Sequence, residues 1–234
     1  MRKRAPRRRK AEANRQRQDE TARKLRADSI RSAREIWFGA QPAEGTLVRD
    51  YLTLRGIDPA LFAALPPVVR FAPAARYTVP AEGQPAKWDV LHVGPAMVCA
   101  VVDAGNNVTA VHRTWLDLSQ PKGKLVLPDP RKAGETLPAK KVLGSKKGGA
   151  IALRTPRSAT TLVMGEGIET TLSGRISEHH RSVSAFWAGV DLGNMAGRRK
   201  LGEGLKYAGI PDLDDEEAFV PPAQITRLIF IQDG

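Results

Sequence analysis

The pattern of apolar and polar positions divides the chain into a polar first segment, a helical segment and a series of short strands. Residues 1–26 have almost no apolar face, and a helical stripe of apolar residues begins at Ser29. The pattern predicts three short helices between residues 29 and 65. The first ends near Gly39, the second starts with Thr46 as its cap, and the third starts at Asp58, which is followed by proline.

Beyond these helices the apolar runs become short and alternating, which predicts strands. Residues 68–71 form the first strand, and the Gly- and Pro-rich segment 76–95 is predicted to be a loop or an irregular hairpin. Residues 97–102 and 108–115 are predicted to be two strands of a hairpin, joined by a turn at 103–107. In the second of these strands, alternation places Arg113 and Trp115 on one face and His112 on the other.

The stretch 160–173 combines a strand, a tight turn and a helix. Its apolar run suits a buried parallel strand, and Glu166 follows that strand with a glycine on each side. Helical spacing then resumes, with Glu169 in the first turn. Glu166 therefore lies at the carboxyl end of a strand, the edge where open α/β sheets bind ligands. A second apolar strand at 225–231 is followed by Asp233 in the same layout.

Positive charge is concentrated at the start of the chain. The net charge is +12, and residues 1–26 hold 12 Lys and Arg against 3 Asp and Glu. Such a block repels itself and lacks apolar surface, which predicts a disordered arm, either merely solvated or binding phosphates without sequence preference. The arm has no apolar core of a secretory signal, and no run is long enough to cross a membrane, so a cytoplasmic protein without membrane contact is predicted.

The single cysteine, Cys99, lies inside an apolar run and is predicted to be a buried core residue. One cysteine permits no disulfide within the chain and no cysteine-rich zinc ribbon, so no zinc is expected. A second basic cluster, at 140–149, is rich in glycine and contains Lys141, Lys146 and Lys147. It lacks the spacing of a Walker loop, and two interpretations remain open: an ordinary lysine-decorated loop or a phosphate-binding loop.

A strand–Glu–Gly–helix unit followed by a strand–Asp unit resembles the Toprim domain of bacterial-type primases, topoisomerases and some nucleases. Gly165–Glu169 fits its first motif, and Asp233 fits the first Asp of its DxD motif, whose second position falls beyond residue 234. The segments 112–117, 123–124, 141–144 and 148–151 add a resemblance to the Toprim primases and primase-helicases of phages and integrated mobile elements, which extends over roughly residues 27–234.

The resemblance implies an α/β fold in which an N-terminal helical segment and a small β-rich subdomain precede a Rossmann-like, mostly parallel sheet. It divides the chain into the arm 1–26, an N-terminal primase subdomain 27–155 and a C-terminally incomplete Toprim domain 156–234. It also implies primer synthesis on single-stranded DNA with Mg²⁺ or Mn²⁺ and NTPs, for the replication of a phage, plasmid or integrated element. A replicative helicase is a candidate partner, and the protein would be cytoplasmic and associated with the nucleoid.

The resemblance also assigns roles to individual residues. Glu166 becomes the catalytic acid or base, and Mg²⁺ would be held by Glu166, Glu169 and Asp233. Phosphates of the template or nucleotide would meet a set of basic side chains: Arg113, Lys124, Lys141, Lys146, Lys147 and Arg154. Two alternatives remain open, a catalytically inactive nucleic-acid-binding protein that uses the basic arm, and a Toprim nuclease-like fragment.

Overall fold

The computed structural model describes residues 4–58, 64–177, 183–200, 210–215 and 217–232 of an α/β protein. Its helices are α1 (Arg4–Gly39), α2 (Leu47–Leu54), α3 (Ile168–Ser177) and α4 (Leu192–Ala196). Its strands are β1 (Gln41–Pro42), β2 (Val69–Ala81), β3 (Gln84–Val102), β4 (Val108–Trp115), β5 (Leu127–Pro128), β6 (Thr136–Leu137), β7 (Lys140–Gly144), β8 (Ile151–Arg154), β9 (Thr161–Gly165), β10 (Ala185–Ala188) and β11 (Arg227–Ile231).

The larger sheet is antiparallel, with the strand order β1-β2-β3-β4-β7. Its centre is a long hairpin of β2 and β3 with an irregular register, which confirms the second of the two alternatives predicted for 76–95 and excludes the loop. The proline and glycine residues are tolerated because the register shifts at three points along the hairpin. The predicted strand 108–115 is confirmed as β4, and its turn is held by Asp103, which accepts a hydrogen bond from the backbone of Asn107.

The second sheet is mixed, with the order β11-β9-β10-β8. Strand β9 is parallel to both β10 and β11, whereas β8 runs antiparallel to β10. The prediction of an α/β fold with an N-terminal helical segment is therefore confirmed at the level of class. Strands β5 and β6 form a third, two-stranded antiparallel sheet. In the described part of the chain most strand pairs are antiparallel and only β9, β10 and β11 pair in parallel, so the predicted mostly parallel sheet is not confirmed.

The arm was predicted to be disordered, but the structure has one helix, α1, from Arg4 to Gly39. Net charge favours disorder, but Arg, Lys, Ala, Glu and Gln are strong helix formers and no glycine interrupts the segment. Its last turns are anchored on the larger sheet, and further back Arg26 forms an ion pair with Glu217. Ala33, Ile36 and Trp37 pack on the larger sheet, while residues 11–26 are exposed.

The two faces of the larger sheet have different partners. The face that carries Val98 and Val111 is covered by the end of α1. The opposite face carries Met97 and Cys99, and it packs in one core against α2, α3 and the second sheet. The buried position predicted for Cys99 is confirmed. Because the core is shared, groups from α3 are brought against strands of the larger sheet.

Helix α2 agrees with the prediction, including its cap, since the Thr46 hydroxyl accepts a hydrogen bond from the backbone NH of Val48. The third predicted helix falls largely on residues 59–63, which lie outside the described part of the chain. In the part that is described, no helix is both long and apolar enough to cross a membrane.

Candidate functional site

The predicted strand, turn and helix around Glu166 are confirmed. Strand β9 ends at Gly165 and α3 begins at Ile168, so Glu166 occupies the tight connection between them. The glycine is required here, because a Cβ on Gly165 would lie 2.7 Å from the Thr171 hydroxyl oxygen. Glu166 is half-buried and opens into a cavity of about 330 Å³, called here the Glu166 cavity.

The Glu166 cavity is lined mainly by charged and polar groups, drawn from the two larger sheets, from α3 and from the residue that caps the end of α2. Its ionisable lining residues are Arg55, His112, Lys124, Lys140, Glu166 and Glu169. Ile151, Ile168 and Val190 form its apolar part. The cavity therefore presents three basic side chains, from Arg55, Lys124 and Lys140, beside two carboxylates.

Glu169 is the most highly connected of these groups. The Nζ atom of Lys124 lies 2.8 Å from Oε1 of Glu169, and the Nζ atom of Lys140 lies 3.0 Å from Oε2. The Tyr51 hydroxyl donates a hydrogen bond to Oε1 as well. Both carboxylate oxygens are thus engaged by groups from α2, the β4–β5 connection and β7.

Burial shapes the ionisation of this cluster. Burial alone would raise the pKa of Glu169, but Lys140, Lys124 and the Tyr51 hydroxyl outweigh it and hold that pKa well below its usual range. Burial and the Glu169 charge raise the pKa of Tyr51, so its hydroxyl stays protonated as a donor. Burial lowers the pKa of Lys124, partly offset by its bond to Glu169.

His112 completes the wall of the cavity. It is buried, and burial together with the neighbouring Lys140 lowers its pKa from 6.5 to about 4. Its Nδ1 atom has no hydrogen-bond partner within the described parts of the chain. A neutral imidazole therefore lines a cavity that is otherwise rich in basic side chains.

Glu166 contrasts with Glu169. Among the described residues no cation lies within ion-pair distance of its carboxylate, although Lys124 and Lys140 line the same cavity. Its carboxylate is therefore held near the positive lysine cluster without being neutralised by it. Such a group remains able to bind a cation or accept a proton from a ligand.

The predicted basic residues are divided among several places. Lys124 lies in the Glu166 cavity, but Arg113 is buried on the other face of β4, where its guanidinium lies 5.0 Å from the centroid of the Trp115 ring. Lys141 also faces away from the cavity and lies over the Tyr77 ring. The structure thus does not bring these three predicted phosphate ligands together.

The remaining predicted residues lie apart from the cavity or outside the description. Lys146 pairs with Asp191 and Lys147 with Glu217 at a separate acidic and basic surface. Arg154 lines a groove beside α1. Asp233 lies outside the described residues, and among those described no group of three or more His, Cys, Asp or Glu is arranged to hold a metal ion.

The predictions missed Lys140, His112, Tyr51 and Arg55. A usable signal existed for two of them, because alternation along β4 and β7 places His112 and Lys140 on one face and Arg113 and Lys141 on the other. Alternation thus separates the residues of the two faces, but it does not indicate which face packs against α3. Tyr51 and Arg55 lie four residues apart at the end of α2, and neither belongs to a motif.

The site is therefore a polar cavity at the carboxyl edge of parallel strands in an α/β protein, with one engaged and one unpaired carboxylate among lysines. Residues 27–153 match the family described as "Domain of unknown function (DUF7146)", and the chain belongs to that family. No curated protein and no solved structure matches the chain. The family match includes Tyr51, His112, Lys124 and Lys140, whereas both glutamates follow it.

Proposed function

We propose that the chain is a Toprim-type primase core that transfers nucleotides to a primer on single-stranded DNA. The observation that carries the proposal is the position of Glu166. It follows a parallel strand at the ligand-binding edge of the sheet, and it shares a cavity with Lys124, Lys140 and Arg55. An anionic triphosphate is a ligand whose charge these cations complement.

The two glutamates have different roles in this proposal. Glu169 is a positioning residue, because its carboxylate fixes the amino groups of Lys124 and Lys140 at the cavity wall. Glu166 is the group left to hold Mg²⁺ or Mn²⁺, or to act as acid or base. The resemblance also assigns Glu169 to the metal. In this proposal Glu169 does not bind the metal, because Lys124, Lys140 and Tyr51 already contact both of its carboxylate oxygens.

The donor chemistry around Glu166 fits a magnesium ion, which proteins usually hold with one or two carboxylates together with substrate phosphates. Bound there, the ion would neutralise charge on the triphosphate. Strand β11 supports a second carboxylate ligand, because Ile231 pairs with Gly165 and the chain leaves the sheet at the edge that carries Glu166. Asp233 follows two residues later in the sequence. We retain Asp233 as the second proposed ligand.

Primer synthesis on a single-stranded template, measured with Mg²⁺ and labelled NTPs, tests the proposal. Glu166→Gln should lower the rate by about 100-fold or more while leaving the urea midpoint unchanged, since Glu166 makes no ion pair among the described residues. Glu82→Gln, at the exposed tip of the β2–β3 hairpin, is the matched control. Wild-type rates from Glu166→Gln would refute the catalytic assignment.

A second candidate is a nucleic-acid-binding protein without catalytic activity. It is favoured by the first segment of α1, where residues 11–26 form an exposed basic helix. Binding through this helix would be insensitive to sequence and would weaken steeply with salt. Removal of residues 1–26 distinguishes the candidates. If it abolishes DNA binding and the remaining protein shows no Mg²⁺-dependent affinity for NTPs, the binding protein is the better description.

A further inference from the structure

A second cavity, of about 670 Å³, lies on the opposite side of the larger sheet from the Glu166 cavity, between the end of α1 and strand β8. We call it the α1 groove. Its lining combines aromatic rings, arginines and small apolar side chains, including Arg34, Trp37, Phe38, Arg70, Val102 and Arg154. None of the described residues that line it is acidic. The groove thus combines basic side chains with aromatic and small apolar surface.

The aromatic part of the α1 groove is fixed in place. The Trp37 and Phe38 rings meet edge to face, with centroids 5.0 Å apart. The Arg70 guanidinium lies 3.9 Å from the centroid of the Trp37 ring and donates hydrogen bonds to the carbonyls of Trp37 and Ala40. Arg70 therefore acts as a clamp on the helix end and holds Trp37 against the sheet.

Phe38 remains open to solvent, with 66% of its surface exposed. A large apolar ring held at the mouth of a groove by its neighbour is costly to leave in water, and it offers a flat surface for stacking. The exposed face of Phe38 is therefore the part of the α1 groove that a flat ligand can contact.

The arginines supply the anionic preference. Arg34 is exposed, and its Nε atom donates a hydrogen bond to the Val108 carbonyl at 2.8 Å. Its two terminal nitrogens are not used in that bond, so they can donate to a phosphate. Arg154 approaches from β8 on the other wall. The same helix continues back through the exposed residues 11–26, which hold five basic and three acidic side chains, so a small net positive charge extends about 30 Å from the groove.

We infer that the α1 groove binds single-stranded nucleic acid, with a base stacked on Phe38 and phosphates near Arg34 and Arg154. Aromatic stacking beside arginines is how proteins hold single strands, because unpaired bases expose their faces and duplex bases do not. The exposed helix would add binding to phosphates that does not distinguish single strands from duplexes. The inference does not require nucleotidyl transfer, since the groove lies across the sheet from the Glu166 cavity.

Fluorescence anisotropy with labelled oligothymidylate, in buffer without NTPs or divalent metal, tests this inference. Phe38→Ala should weaken binding by about 5-fold or more at both about 0.1 M and about 0.3 M salt, because stacking is less sensitive to salt than phosphate contacts. Phe38→Tyr keeps the ring and should retain the wild-type affinity. Trp88→Ala removes an aromatic side chain of similar exposure (60%) near the tip of the β2–β3 hairpin and should have no effect.

A charge-matched pair tests the arginine contribution. Arg34→Gln and Arg31→Gln remove the same charge from the same helix, but Arg31 does not line the groove and instead pairs with Asp28. We expect Arg34→Gln to weaken single-strand binding several-fold more than Arg31→Gln. A duplex of the same length should bind wild type and Phe38→Ala equally, and an oligouridylate series shows whether RNA or DNA is preferred.

Two results would overturn the inference. One is equal single-strand affinity for Phe38→Ala and Phe38→Tyr. The other is an equal loss of single-strand and duplex binding in Phe38→Ala, which would assign the effect to general charge or folding. Neither result bears on Glu166, and a failure of primer synthesis would leave these binding experiments unaffected.

Discussion

Lys124 and Glu169 form an ion pair at 2.8 Å that joins the β4–β5 connection to the first turn of α3. The pair is largely shielded from water, with 20% of the lysine side chain and 12% of the glutamate side chain exposed. It couples the part of the chain that matches the family to the part that carries Glu166. The stability of the protein and the shape of the cavity therefore depend on the same contact.

Glu169→Gln should lower the free energy of unfolding by about 3 kcal/mol, because it leaves Lys124 and Lys140 close together without their shared counter-charge. Urea denaturation at neutral pH measures the change. The control is Glu135→Gln, which breaks an exposed pair with Lys132 and should cost less than about 1 kcal/mol. Equal effects at the two positions would show that the buried cluster does not stabilise the fold.

The free energy of unfolding should also decrease as the pH is lowered, because His112 is buried in its neutral form. Its pKa is about 4 in the folded protein and 6.5 when unperturbed, so the unfolded chain takes up a proton first as the pH falls. The stability contributed by the neutral imidazole is full above pH 6.5 and is lost between pH 6.5 and about 4, by at most about 3 kcal/mol.

Urea midpoints measured across that range for wild type and His112→Asn check this prediction. The substituted protein should lose less stability on acidification than wild type within this window. The loss caused by Glu169 should come at lower pH, because its depressed pKa means that the stabilising carboxylate is protonated only in stronger acid.

Adjacent lysines of β7 provide a direct test of which face binds the ligand. Lys140→Met should weaken affinity for a nucleoside triphosphate by about 10-fold, because Lys140 lines the Glu166 cavity. Lys141→Met removes the same charge from the next residue, but Lys141 lies over Tyr77 on the opposite face and should have a small effect. Nucleotide titration by calorimetry measures both. A larger loss for Lys141→Met would place the ligand on the other side of the sheet.

Gly144→Ala should destabilise the protein by about 3 kcal/mol or more. Gly144 has a φ of +103°, and an added Cβ would lie 2.3 Å from the Thr109 carbonyl oxygen, so the β4–β7 pairing would have to shift. Gly134→Ala is the matched control, since its φ of +82° carries a similar conformational cost but the space around it is open. Thermal unfolding should separate the two variants clearly.

Local patterns were sufficient to predict the strand, turn and helix around Glu166, the capped helix α2 and the burial of Cys99. Each of these depends on residues close together in the sequence. The partners of Glu169 do not, because Tyr51 lies 118 residues away and Lys140 lies 29 residues away. Alternation separated Lys140 from Lys141, but the choice of face is made by packing of α3 and α2 on the sheet, which no local pattern encodes.

In the arm, residues 1–26, the local signals themselves conflict. Its charge and its helix propensity predict different states, and composition alone favoured the disorder expected of a self-repelling segment. The structure has a helix there, and the last turns of that helix carry Trp37 and Phe38 to the edge of the α1 groove. Trp37 belongs to the apolar stripe of the first predicted helix, and residues in such a stripe usually pack in a core, so the pattern does not indicate an exposed aromatic residue next to it.

The family match ends at residue 153, one residue before the end of β8. Strand β8 hydrogen-bonds to β10, and Ile151 and Leu153 are buried in the core shared with α3. A protein cut at that boundary would expose an unpaired strand edge and lose the carboxylate that Lys124 and Lys140 face. The folded unit therefore extends past the family boundary, at least through α3 and β10.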